Sequence, residues 1–94
     1  MRKSATKLTS LRNRIEAVDA EILSAIAKRA KLAALVGEIK IERGLNPLDS
    51  VRKAVQKKRW AALARKMKLP AKLASRIYTL LHDHAISVER SMKL

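Results

Sequence analysis

From Leu8 to Ile39 the chain places apolar residues at Leu8, Leu11, Ile15, Val18, Ile22, Ala25, Leu32, Val36 and Ile39. Steps of three and four put these positions on one stripe of an α-helix, and no proline interrupts the run. Gly44 suits the left-handed residue that closes a helix. The segment Leu8–Arg43 therefore predicts a rod about 50 Å long. A compact chain of 94 residues has a diameter of roughly 30 Å. The rod must either break or reach into a partner, and Gly37 is the single internal residue that would favour a break.

One member of the stripe is wrong for a core. Arg29 stands where an aliphatic residue belongs, and Lys40 follows eleven residues later. At 100° per residue, Lys40 is rotated from Arg29 by only about 20°. Two accounts of Arg29 are open at this level. It snorkels to the edge of the seam or pairs with a carboxylate, or the seam borders a pocket for a small anion. Arg29 and Lys40 lie about 16 Å apart along the axis, close enough for long side chains to lean toward one ligand. Arg12 lies about 25 Å further back and reaches that ligand only if a second subunit supplies it.

The remaining chain predicts two shorter helices. Gly44 to Asp49 reads as a loop, and Asp49 or Ser50 caps a helix over Val51–Met67. Its polar face is basic, with Lys53, Lys57, Lys58, Arg59, Arg65 and Lys66. Pro70 opens a third helix over Ala71–Ser91, with Leu73, Ile77, Leu80, Leu81, Ala85 and Val88 inward. Thr9 or Ser10 is the expected cap of the first helix, which leaves residues 1–7 as a basic flexible arm and 8–94 as a single helical domain. A chain this short buries only about 60–65% of its unfolded surface, so a second copy would add needed core. The expected fold class is all-α: three helices, one long and two shorter, in an intertwined helical homodimer.

Composition narrows the function. There is no cysteine, which excludes disulfides and thiolate metal sites. His82 and His84 are two residues apart, point to different helix faces and suit no shared metal, so both read as surface or boundary residues. No apolar run approaches the roughly 20 residues that span a bilayer, and the N-terminus lacks a signal peptide's apolar region. The expectation is a cytoplasmic protein without membrane contact. The net charge of +14 fits a solvated charged surface, a polyanion partner or an anionic small molecule.

The run Leu11-Arg12-Asn13-Arg14-Ile15-Glu16-Ala17-Val18-Asp19 resembles the opening signature of the helical chorismate mutases. Leu23 through Lys40 continues the resemblance, with the family's Arg at Arg29 and its Lys at Lys40. Asp49 and Arg52 match the start of the family's second helix, and Ile77 through Glu89 looks like its third. The resemblance implies conversion of chorismate to prephenate, for aromatic amino acid biosynthesis by the shikimate pathway, without a cofactor or a metal. It implies that Arg29 and the partner copy's Arg12 hold the two carboxylates, and that Lys40 donates to the ether oxygen. The resemblance makes Lys40, Glu89 and Arg29 catalytic and adds Arg12, Asp49, Arg52, Lys53 and Ala85 to the substrate-binding set.

Three residues depart from the family pattern. Lys53 stands where a Glu usually binds the substrate's ring hydroxyl, Ala85 replaces a small polar residue, and Glu89 replaces a Gln that donates to the ether oxygen. A carboxyl donates only when protonated, so acid-favoured activity is expected. Isochorismate–pyruvate lyases share the fold and the cations and can lack the second-helix Glu, which keeps that activity as an alternative. A basic nucleic-acid-binding module is the other alternative, disfavoured by the near absence of aromatic residues for stacking.

Overall fold

A computed structural model describes residues 2–92. Three helices occupy them: α1 over Arg2–Glu42, α2 over Ser50–Lys66 and α3 over Ala71–Met92. No helix is long and apolar enough to cross a membrane among the described residues. The first helix is unbroken through Gly37. Its 41 residues set the long dimension of a molecule measuring 63 × 27 × 14 Å. The radius of gyration is 17.9 Å, against about 12 Å for a compact chain of this length.

Residues 2–7 continue α1 rather than forming a separate arm, and Met1 lies outside the described residues. The expected cap at Thr9 or Ser10 is therefore not a cap. Inside the helix the Thr9 hydroxyl donates to the Ala5 carbonyl at 3.1 Å. Local periodicity cannot separate a cap from such a back-bonded threonine, because both satisfy the hydroxyl on nearby backbone.

The other boundaries follow the capping chemistry. Gly44 closes α1 at φ +66°, with Leu45 N–H donating to the Lys40 carbonyl at 2.8 Å. Asp49 caps α2 by accepting the Arg52 N–H at 3.0 Å. Leu69 N–H returns to the Ala64 carbonyl at 2.8 Å, around Lys68 at φ 60°. This is the same closing motif with a lysine in the left-handed position.

The third helix packs against both others. The face that α1 turns to α3 is not the stripe of large residues. Ile26, Ala30, Ala33 and Ala34 oppose Leu81, Ala85 and Val88. Gly37 is buried, whereas Leu32, Val36 and Ile39 are about half exposed or more. Small residues win this face because they let two backbones approach closely. On α3 the buried positions are Ala74, Tyr78, Ile86 and Glu89, while the expected inward residues Leu73, Ile77 and Leu80 are exposed. On α1 the packed face is rotated about one residue, or 100°, from the stripe of largest residues, whereas on α3 the expected Leu81, Ala85 and Val88 do face α1.

Between Leu8 and Ile22 the stripe on α1 stands largely uncovered among the described residues. Leu8, Leu11, Ile15, Val18 and Ile22 are 41% to 59% exposed. A continuous apolar ridge of this length is unusual on a soluble surface.

Candidate functional site

The Arg29–Lys40 stretch of α1, the start of α2 and the Tyr78–Glu89 stretch of α3 border a cavity of about 260 Å³. Arg29 and Lys40 reach it from α1, Asp49, Arg52 and Lys53 from the start of α2, and Ala85 and Glu89 from α3. Every expected site residue except Arg12 lines this one space. Arg12 is exposed on the projecting half of α1, about 25 Å along the axis from Arg29.

Glu89 lies at the bottom. It is only 3% exposed, and its Oε1 stands 3.5 Å from Lys40 Nζ. Its Oε2 is buried and has no hydrogen-bond partner. Lys40 is held from a second side, donating to the Pro47 carbonyl at 3.0 Å. The loop after α1 thereby turns back to steady the cation at the end of that helix. Most native buried polar atoms are paired, and on this lining Glu89 Oε2 and His82 Nδ1 are the two that are not.

Of the accounts open for Arg29, the structure removes pairing with a carboxylate. No carboxylate lies within ion-pair distance of it among the described residues. Its guanidinium instead lies 6.0 Å from the centre of the Trp60 ring and 5.9 Å from that of Tyr78. These two rings, from α2 and α3, are 5.5 Å apart and tilted. At such distances the ring faces attract the cation weakly and leave its donors free. Burial raises the Tyr78 hydroxyl above the usual phenol range, and the nearby Arg29 and Arg52 pull it back only in part. Tyr78 is thus a neutral donor at physiological pH.

Charge on the lining is unbalanced. Arg29, Lys40, Arg52 and Lys53 face Asp49 and Glu89, which leaves two positive charges in excess. A dicarboxylate brings the opposite charge. Lys53 also has an outward partner, with its Nζ 4.0 Å from Asp83 Oδ1.

Sequence reasoning missed Gln56, Tyr78 and His82 on this wall. A usable signal existed. Tyr78, His82, Ala85 and Glu89 step by four, three and four, as do Asp49, Lys53 and Gln56 by four and three. Half of each helix face had been named, and its periodicity extends to the rest. His82 is accordingly a cavity-wall residue rather than an ordinary boundary histidine.

A family model described as chorismate mutase type II matches residues 11–90. The chain belongs to that family. No curated protein matches the chain.

Gly37 is required by the site. A Cβ built there would lie 2.5 Å from Glu89 Cγ and 3.3 Å from its Cδ. Alanine for glycine in a helix ordinarily stabilises by about 0.5–1 kcal/mol. Overpacking at a closed position costs about 1–3 kcal/mol and outweighs that gain. Gly37→Ala should therefore lower stability in denaturant unfolding, and adding Glu89→Ala should recover most of the loss. A Gly37→Ala protein more stable than the parent would contradict the contact.

Proposed function

We propose that the chain is a chorismate mutase, converting chorismate to prephenate for aromatic amino acid biosynthesis in the cytoplasm. The observation that supports the reading most is the set of four cations around one cavity, two positive charges in excess, in a chain of this family. The reaction is a rearrangement within one molecule. One C–O bond breaks, one C–C bond forms, and no proton or leaving group is exchanged. The protein needs only to hold the folded substrate and to stabilise the charge that develops on the ether oxygen.

Arg29 takes one carboxylate, its donors free over the Trp60 and Tyr78 rings. Lys40 donates to the ether oxygen and to one carboxylate. Glu89 faces that oxygen with its partnerless Oε2, which can serve as the second donor only when it carries a proton. Arg52, beside the Asp49 cap, adds a further cation at the rim. Asp49 and Lys53 line the substrate from α2, and the methyl of Ala85 closes the α3 side.

The working unit is a homodimer. The apolar ridge from Leu8 to Ile22 packs against a second copy, and that packing brings the partner copy's Arg12 to the cavity, where it holds the other carboxylate. The uncovered ridge supports this, as does the distance of Arg12 from its own chain's cavity. A lysine at position 53 favours one further reading, an isochorismate–pyruvate lyase. Assaying purified protein with both substrates separates the two activities.

Three outcomes test the proposal. Lys40→Ala should reduce kcat on chorismate at least 10²–10³-fold, the usual effect of removing a donor at a developing negative charge. A fully active Lys40→Ala enzyme would refute the mechanism. With Glu89 required as a proton-bearing donor, kcat/KM should fall as pH rises, and Glu89→Gln should flatten that profile. A profile already flat between pH 5 and 9 in the parent removes this role. Finally, Arg12→Ala and Arg29→Ala proteins, each inactive alone, should regain about a quarter of parental activity when unfolded together and refolded. Random pairing makes half the dimers mixed, and each mixed dimer holds one intact site of two. No recovery would exclude a shared site.

A further inference from the structure

The wall formed by α2 and α3 holds a group that this chemistry does not use. His82 lines the cavity with a side chain only 16% exposed, and its Nδ1 is buried without a hydrogen-bond partner. That nitrogen stands 3.7 Å from Asp83 Oδ1, the same carboxylate oxygen that lies 4.0 Å from Lys53 Nζ. That separation is longer than a hydrogen bond, so the ring nitrogen keeps no partner within the chain's described residues.

Acceptors are scarce on the lining, where Glu89 Oε2 is assigned to the ether oxygen. Arg29, Lys40, Arg52 and Lys53 can only donate. Asp49 is engaged by the Arg52 N–H, and Glu89 by Lys40. Gln56 and Tyr78 each combine donor with acceptor and do not discriminate between partners. A ring nitrogen of His82 that carries no proton offers acceptor character alone.

We propose that His82 is a specificity-determining residue that accepts a hydrogen bond from a neutral hydroxyl on the substrate ring. Asp83 draws the Lys53 ammonium toward the outer rim. This inference rests on the reading of the site as one for a hydroxylated cyclic dicarboxylate.

The test measures affinity by calorimetry and turnover separately, using chorismate and its analogue without the ring hydroxyl. His82→Leu should weaken chorismate binding roughly tenfold, the scale of one neutral hydrogen bond, and leave the deoxy analogue unchanged. His82→Gln, which keeps an acceptor near the Nε2 position, should recover most of the affinity. Equal losses on both ligands, which a merely structural role would produce, or no loss on either, overturn the proposal. Chorismate that binds without turning over refutes the reaction but leaves the His82 comparison decisive. Chorismate that fails to bind at millimolar concentration overturns both.

Discussion

Residue 37 has no side chain, and the carboxyl arm of Glu89 lies where one would begin. The arrangement of the cavity depends on that contact. It brings α3 against α1 closely enough to bury a carboxyl group, and it sets that group 3.5 Å from Lys40. A buried charged pair is weak evidence for stability, because desolvation offsets much of its attraction. Its value here is geometric. Lys40 is held between Glu89 and the Pro47 carbonyl, so the cation has its position before any ligand arrives. A donor already in place needs no reorganisation when charge develops in front of it.

Charge and shape divide the labour around this point. The aromatic pair Trp60 and Tyr78 gives Arg29 a surface to lie over without neutralising it. A carboxylate in the same place would have tied up the donors that a ligand needs. The excess of cations at the cavity agrees in sign with the +14 of the chain, and a long-range field of that sign draws dianions inward at low salt. Lys53 is the exception, with Asp83 on its outward side.

Much of this was legible in the residues. Gly44, Asp49 and Pro70 mark their boundaries because each solves a local problem of backbone geometry or an unpaired N–H, which needs no tertiary information. Arg29 and Lys40 could be assigned to one face because eleven residues is close to three whole turns. The packed faces were not legible in the same way. A stripe of large residues says which side of a helix avoids water, but not which neighbour covers it. The close approach of α3 selects Ala33 and Gly37 over Leu32 and Val36, and that choice depends on a partner helix far along the chain. The start of α1 was misplaced for a related reason: Thr9 can satisfy its hydroxyl on either side of a boundary. Tyr78 escaped notice because an aromatic residue on a helix usually signals core, and His82 reads as a boundary residue until α2 and α3 are brought together around the cavity.

The continuity of α1 carries a consequence for how this chain can change over time. In the proposed dimer one rigid rod supplies Arg29 and Lys40 to one cavity and Arg12 to the other, so the two sites are geared together. Inserting a single residue between positions 12 and 29 would turn Arg12 by about 100° and shift it by about 1.5 Å relative to the rest. Both cavities would lose a cation from one event. The loop from Gly44 to Pro47 is constrained differently, since it must return a carbonyl to Lys40. Tolerance to length change is therefore lowest in what looks like the plainest part of the molecule, a bare and exposed stretch of helix.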